Sequence, residues 1–175
     1  ESGGGLYKIK GGIGHSDWSA DGMQPHLADK MLEYLDENKD SDKPFFLYMA
    51  LTAPHIPLFP SKEFKGKSKI GDYGDLVMMI DDIVGRVNRK LKEIGKYDNT
   101  IVMFAADNGC AGYINMDRIN RKGHYPSYIY RGYKSHGWEG GHRIPFILSW
   151  GDRYGHVTDN SLVSLTDLYL SLIHI

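Results

Sequence analysis

One cysteine, Cys110, stands in 175 residues, so no disulfide can form within the chain. A lone cysteine does not fix the redox compartment. Without such staples the fold must rest on a packed core, which a chain of this length can bury. No run of 18 apolar residues occurs, so no membrane-spanning helix is expected. Neither sign of charge is in excess: 21 Lys and Arg against 22 Asp and Glu leave a formal net charge of −1. Nothing in that balance argues for nucleic acid or an anionic membrane as a partner. The densest basic stretch, Lys62 to Lys69, reads as a solvated loop. There are no internal repeats and no low-complexity tract.

Both ends look incomplete. The chain opens at Glu1-Ser2-Gly3-Gly4-Gly5, without Met and without a visible signal peptide, so a lost N-terminal segment is expected. The last residues, Leu170-Ser171-Leu172-Ile173-His174-Ile175, match the translation of a transposon end used to build sequencing libraries. Residues 170–175 are therefore expected to be an adapter artefact and not native sequence.

What is present is a globular composition, 41% hydrophobic and 25% charged. The 21 glycines exceed the usual share of about 7%. They gather before residue 25 and between 109 and 141, which predicts shaped loops there. Leu27, Met31, Tyr34 and Leu35 recur at helical spacing and predict a helix over 26–38. Leu76, Ile80, Ile83, Val87, Leu91 and Ile94 predict a second over 73–95, with Gly95 placed to end it. Phe45–Leu51, Thr100–Ala106 and Ile144–Trp150 are continuous apolar runs too short for helices. Such runs suit strands covered on both faces. Pro54 and Pro57 end the first run. Residues 110–142 show no periodicity, and an aperiodic stretch that long inside a domain is usually functional. A last helix is expected to start within 163–172. The order predicts an α/β fold with a mostly parallel sheet flanked by helices.

Ligands of such sheets bind beyond the carboxyl ends of the strands. Two of the expected strands end in chemically loaded segments, one at Pro54-His55 and one at Asp107-Asn108-Gly109. If those strands are neighbours, His55 and Asp107/Asn108 share one edge. A carboxylate beside a carboxamide suits a hard cation such as Ca²⁺ or Mg²⁺, although Asp-Asn-Gly is equally strong turn chemistry and on its own reads first as a turn. His55, between prolines, reads either as a proton donor or anion ligand or as a loop histidine bonded to a carbonyl. Arg131-Gly132-Tyr133-Lys134 and Trp138-Glu139-Gly140-Gly141-His142-Arg143 could meet an anion or be plain surface. Gly66-Lys67-Ser68 is no phosphate loop, because Ser61 occupies the position of the required glycine. His124 and His142 lack the spacing of a zinc pair. Cys110 reads as a small buried residue.

Taken together, in order, these segments resemble the sulfatase family of the alkaline-phosphatase-like superfamily. The likeness runs from about residue 25 to about 169. It is carried by Pro44-Phe45-Phe46-Leu47-Tyr48, Ala53-Pro54-His55-Ile56-Pro57, Gly71-Asp72-Tyr73-Gly74-Asp75 and Asp98-Asn99-Thr100-Ile101-Val102 through Asp107-Asn108-Gly109-Cys110. Gly123-His124-Tyr125-Pro126-Ser127-Tyr128, Arg131-Gly132-Tyr133-Lys134 and Glu139-Gly140-Gly141-His142-Arg143-Ile144-Pro145-Phe146 complete it, in the manner of bacterial arylsulfatase-like members.

The resemblance implies hydrolysis of an aryl or carbohydrate sulfate ester with one Ca²⁺ or Mg²⁺ and a formylglycine nucleophile. It implies Asp107 and Asn108 as metal ligands, His55 and Lys134 as catalytic contacts to the sulfate or leaving oxygen, and His124, Arg131 and His142 as substrate-binding residues. Its expected partner is a small-molecule or glycan sulfate ester, and a periplasmic or secreted location is favoured. The Cys- or Ser-containing C-x-P-x-R-type segment that yields formylglycine is absent, as is the N-terminal pair of metal-binding aspartates. Residues 1–175 are thus expected to be a partial catalytic domain, inactive alone, without the nucleophile region and the C-terminal subdomain. A phosphoester or phosphonoester hydrolase of the same superfamily, or a non-catalytic binding protein on that fold, are the alternatives.

Overall fold

The computed structural model describes residue 16 and residues 18–174. Helix α1 spans Met23–Glu37 and helix α2 spans Asp72–Glu93. Strand β1 is Ile101–Ala105, followed by short helices α3, Met116–Arg121, and α4, Glu139–His142. Strand β2 is Phe146–Trp150, and helix α5 is Asp167–Ile173. Among the described residues, no helix is long and apolar enough to cross a membrane.

The two long helices form where their apolar stripes predict. Ala28 and Met31 of α1 pack on Leu76, Met79 and Ile83 of α2, with Phe64 closing the cluster. The loop between Glu93 and β1 follows from Gly95. Its φ of 70° lies in the left-handed region, where glycine carries no Cβ penalty. Gly95 N–H donates to the Lys92 carbonyl at 3.1 Å and Lys96 N–H to the Leu91 carbonyl at 2.9 Å. These two bonds satisfy carbonyls that a helix end otherwise leaves open.

The sheet corrects the sequence reading. Among the described residues it has two strands, β1 and β2, and they run antiparallel, with Ile101 opposite Trp150 and Ala105 opposite Phe146. The expected mostly parallel sheet is not what these residues form. An apolar run carries no direction, and the roughly 40 residues between β1 and β2 allow either sense. The expected burial of both faces also fails locally, since Ile147 and Leu148 are exposed. Phe45–Leu51 makes no ladder, and Phe46 and Tyr48 stand in solvent. A strand needs a neighbour to take its N–H and C=O groups, and this segment has none among the described residues. Instead Met49, Leu51 and Ala53 pack against the α1–α2 core, and Phe45 sits edge-on to Tyr34 at 6.2 Å. That packing steers the chain into Thr52–Pro57.

A second correction lies in the expected structureless loop. Helix α3 forms inside it, where the Asn115 side chain accepts from Arg118 N–H at 3.3 Å. Ile114, Met116 and Ile119 bury against Ile70, Tyr73, Cys110 and Tyr133. The Asn cap and Asp117 in the first turn are helix-start signals, but six residues are too few to show a period. The expected last helix is α5, which starts at Asp167 and includes residues 170–173.

The two clusters are joined by the start of α2. Asp75 is fully buried there, and its carboxylate accepts from Gly66 N–H at 2.7 Å and Ser68 N–H at 2.6 Å. One carboxylate thereby ties the 66–68 turn to the helix. Replacing Asp75 with Asn puts an amide N–H₂ where one acceptor stood. The expected loss is about 1.5–3 kcal/mol, the range for hydrogen bonds to a charged group. Urea unfolding of residues 1–175 checks this, and a shift below about 0.5 kcal/mol contradicts it.

Candidate active site

The site begins where β1 ends. Ala105 pairs with Phe146, so Asp107-Asn108-Gly109 leaves the sheet at the end where residues 140–145 enter it. Gly109 N–H donates to the Gly141 carbonyl at 2.9 Å, which binds the two segments together. Their approach is backbone on backbone. A Cβ on Gly109 would lie 2.0 Å from the Gly140 carbonyl oxygen. A Cβ on Gly140 would lie 2.2 Å from the Gly132 oxygen, and one on Gly141 would lie 2.1 Å from the His136 oxygen. No real side chain tolerates such separations, so three chain segments meet here only because glycine occupies each contact.

This clamp fixes the Lys134 loop. Gly140 N–H donates to the Arg131 carbonyl at 2.8 Å, and Lys134 N–H donates to the Cys110 carbonyl at 2.9 Å. His136 closes the turn from the other side. Its Nδ1 accepts from Tyr133 N–H at 3.2 Å, and its own N–H donates to the Tyr133 carbonyl at 2.9 Å. Lys134 is half-buried, and its ammonium has no hydrogen-bond or ion-pair partner among the described residues.

His55 arrives on the Thr52–Pro57 turn, where His55 N–H donates to the Thr52 carbonyl at 3.0 Å. Its ring is exposed and lies edge-on to Tyr113, with centroids 6.0 Å apart. His55 Nδ1 is 2.7 Å from the Ile56 carbonyl oxygen. A carbonyl only accepts, so Nδ1 carries hydrogen and Nε2 is left as the exchangeable position. The two sequence readings of His55 are therefore compatible: the bond to a backbone carbonyl presets the tautomer that leaves Nε2 free.

Asp107 is exposed and has no cationic partner among the described residues. Asn108 Nδ2 donates to the Gly109 carbonyl at 3.0 Å, and its Oδ1, an acceptor, has no hydrogen-bond partner among the described residues. Among the described residues no group of three or more His, Cys, Asp and Glu side chains is arranged to hold a metal ion. Asp107 and Asn108 fit a hard cation by chemistry and fall short of one by number.

The three residues singled out for substrate binding make separate contacts. Arg131 stacks on Trp138, its Cζ 4.1 Å from the ring centroid. His142 Nε2 is 3.5 Å from Glu139, on the outer side of α4. His124 is exposed just beyond the C-terminal end of α3, its N–H donating to the Ile119 carbonyl at 3.3 Å. None of these contacts reaches His55.

Cys110 packs inward. Burial pushes its thiol up, against the smaller opposing pull of bonds to Tyr73 and the Ala111 carbonyl. Such a thiol is a poor nucleophile, in keeping with its reading as a small buried residue. Tyr73 is also held protonated, chiefly by burial and then by the nearby sulfur. Tyr73, Gln24 and the capping His136 have structural parts around the site that the sequence pattern did not assign. Gln24 is buried and donates through Nε2 to Thr52, anchoring the turn that carries His55. Its only sequence signal is a polar residue on the apolar side of α1.

A sulfatase family model matches residues 14–175. The chain belongs to the sulfatase family. It is 34% identical over 158 residues to the N-acetylgalactosamine-6-O-sulfatase of Bacteroides thetaiotaomicron, covering 89% of this chain and 30% of that protein. It is 38% identical over 130 residues to the human N-acetylgalactosamine-6-sulfatase, covering 72% of this chain and 23% of that one. The solved PsFucS1 sulfatase from Pseudoalteromonas sp. superposes with a TM-score of 0.76 at 29% identity, over 88% of this chain and 30% of that one. Ps i-CgsB, solved with k-i-k-neocarrahexaose, superposes with a TM-score of 0.61 at 29% identity, over 73% and 28%. The fold is thus the α/β, alkaline-phosphatase-like fold of the sulfatases, in part. The chain spans less than a third of the length of these relatives.

The glycine clamp generates a prediction that needs no assay of activity. Gly140→Ala is expected to destabilise residues 1–175 by about 1–3 kcal/mol, the usual cost of forcing an added carbon into a packed site. Gly137→Ala is the control, because a Cβ there meets nothing within 4 Å. Equal urea midpoints for the two variants would mean that the backbone contact is not the constraint.

Proposed function

We propose that this chain is part of the catalytic domain of a sulfuric ester hydrolase acting on an aryl or carbohydrate sulfate ester. The observation that supports this best is that the Lys134 loop and the entry to β2 are tied to residues 109–110 just past β1, with His55 against Tyr113 a few residues on. Lys134 is tied by its backbone to Cys110, Gly141 is tied to Gly109, and His55 lies against Tyr113. The roles assigned to Asp107, Asn108, His55 and Lys134 are part of this proposal, as are those of His124, Arg131 and His142 toward the rest of the substrate. So is a larger, mostly parallel sheet in which Phe45–Leu51 is a strand, completed by residues outside these 175. The nucleophile and the remaining cation ligands would also come from outside them.

Asp107 and Asn108 are the residues that would hold the divalent cation, Ca²⁺ or Mg²⁺. When bound, the cation supplies positive charge beside the sulfuryl oxygens. Lys134 brings a second charge. Lacking an internal carboxylate partner, its ammonium is available to a sulfuryl oxygen, and partial burial strengthens that attraction. With Nδ1–H kept on the Ile56 carbonyl, His55 would act in its imidazolium form, giving the second proton, on Nε2, to the leaving oxygen as the S–O bond breaks and returning to the neutral Nδ1–H tautomer. The glycan-directed names of the relatives favour a sulfated sugar over a simple aryl ester as the natural substrate, with N-acetylgalactosamine 6-sulfate the first to try.

In the full-length protein, Lys134→Ala is expected to lower kcat on 4-nitrophenyl sulfate by roughly 10²- to 10³-fold, the cost of losing one preorganised charge. Lys134→Arg is not expected to restore it, because a broad planar guanidinium does not replace a compact ammonium. Asp107→Ala should weaken cation binding and activity together, and Asn108→Ala should do so less. Activity on a phosphate monoester above that on the sulfate ester would favour a phosphoester hydrolase instead. Unchanged cation affinity in both Asp107 and Asn108 variants would reduce that segment to a turn.

A further inference from the structure

The candidate site is bordered by a cleft that none of the assigned residues explains. It has a volume of about 230 Å³ and lies between residues 126–130 and residues 140–145. Gly140 of the clamp forms part of its wall, and Pro145 directly precedes Phe146, the partner of Ala105. The cleft therefore opens at the same end of the sheet as Asp107. A substrate whose sulfate is held at Asp107, His55 and Lys134 has this cleft next to it.

The cleft displays aromatic surface under constraint. Tyr128 is 73% exposed, although a ring of that size is more stable under cover. Its φ is 50°, the left-handed region, which bulky side chains rarely adopt. Two tight turns hold it there: Tyr128 N–H donates to the Tyr125 carbonyl at 2.8 Å, and Tyr130 N–H to the Ser127 carbonyl at 2.9 Å. A strained backbone that presents an exposed ring beside a candidate site points to a ligand contact.

The rest of the cleft indicates which ligand. Tyr128 stands edge-on to Tyr130 at 6.3 Å, and Arg143 lies over the Tyr130 ring with its Cζ 4.6 Å from the centroid. Arg143 is itself neutralised by Glu139, Nη1 to Oε2 at 3.2 Å. The cleft is thus aromatic and hydrogen-bonding but carries no spare positive charge for a second anion. Its volume is below the roughly 300–1,000 Å³ of pockets that enclose a drug-sized molecule, so it suits a single ring. A pyranose matches this chemistry. The C–H groups of one sugar face carry partial positive charge and suit the negative face of an aromatic ring, while the hydroxyls suit Ser127 and Arg143 in the cleft wall.

We propose that this cleft is a subsite for an unsulfated pyranose ring adjoining the sulfated one, with Tyr128 as its stacking platform. The proposal rests on the sulfated-sugar reading above and adds a position and a recognition residue to it. The subsite favours a glycan over an isolated sulfated monosaccharide.

The test compares wild type, Tyr128→Asn and Tyr128→Phe in the full-length protein. Asn removes the ring and tolerates the left-handed backbone, while Phe keeps the ring. The substrates are N-acetylgalactosamine 6-sulfate and a disaccharide in which an unsulfated pyranose is attached to that sugar. Tyr128→Asn is expected to lower kcat/KM about tenfold on the disaccharide, the scale of one lost aromatic contact, and less than about twofold on the monosaccharide. Tyr128→Phe should match wild type on both. Equal losses on both substrates, or no loss on either, overturn the subsite. If wild type hydrolyses neither substrate, N-acetylgalactosamine 6-sulfate is not its sugar, and calorimetric titration with the unsulfated disaccharide judges the cleft by itself. Binding weakened about tenfold by Tyr128→Asn sustains the subsite, and equal or undetectable binding to both proteins overturns it. Should Tyr128→Asn not fold, nitration of Tyr128 in wild type, read by peptide mass spectrometry, decides the same question: protection by the disaccharide sustains the subsite, and its lack overturns it.

Discussion

The site depends on backbone meeting backbone without side chains between. Gly109, Gly132, Gly140 and Gly141 bring the end of β1, the Arg131–His136 loop and the entry to β2 within contact distance of one another. Among the described residues the sheet has two strands and α4 is a single turn, so these backbone contacts add to the α3 cluster in holding the Lys134 loop beside residues 109–110. Hydrogen bonds from Gly109 to Gly141, from Gly140 to Arg131 and from Lys134 to Cys110 then fix the register. Each satisfies groups that such close packing would otherwise strand away from water. At Gly109, Gly132, Gly140 and Gly141 the glycine noted in the sequence is therefore a packing requirement, whereas Gly123 and Gly137 stand in open space.

Behind the clamp stands a graded support. The α1–α2 core holds the 49–53 segment and so the turn carrying His55, with Gln24 reaching Thr52. The α3 cluster holds Cys110 and Tyr133, the residues flanking Asp107–Gly109 and Lys134. Tyr73 belongs to α2 but packs into the α3 cluster, and Asp75 two residues later ties down the preceding loop. A disturbance at the start of α2 therefore reaches both halves of the site. Core packing is not continuously deformable, so the site shares the rigidity of these clusters.

The legible parts of this structure were those encoded by local pattern. The stripe from Leu76 to Leu91 needs nothing beyond its own period to announce a helix, and Gly95 needs only its missing Cβ to end it. The strands were legible as strands in two of three cases, but their direction was not. Direction is a property of pairing, and Ile101–Ala105 looks the same beside a parallel or an antiparallel neighbour. Phe45–Leu51 failed for the same reason, since its pattern specifies an extended run but cannot supply a partner. Helix α3 was missed because its cap, Asn115, resembles any polar loop residue until Ile114 and Ile119 are seen to be buried together. At the candidate site, residue type singled out His55 and, just past the end of β1, Asp107-Asn108. The clamp could not be read in this way, because the sequence shows glycines without showing which backbones they let approach.

Several charges on the long helices are paired, whereas among the described residues Asp107 and Lys134 are not. On the long helices, acids and bases find each other: Arg86 meets Asp29 at 2.5 Å, Lys90 meets Glu93 at 2.9 Å, and Lys30 meets Glu33 at 2.6 Å. Exposed pairs of this kind contribute little to stability, about 0–1 kcal/mol each. Their value here is as a contrast. Just past β1 stands the exposed Asp107 carboxylate, and the half-buried Lys134 lies on a loop tied by its backbone to Cys110; neither has an ionic partner among the described residues. The backbone bonds of Lys134 and Gly109 hold both segments in place, so the two groups are not free to drift together and neutralise each other. The carboxylate and the ammonium then remain on separate segments joined through backbone bonds. Rigid backbone contact is what keeps that separation of charge, which is why glycines, and not charged residues, set the geometry of the site.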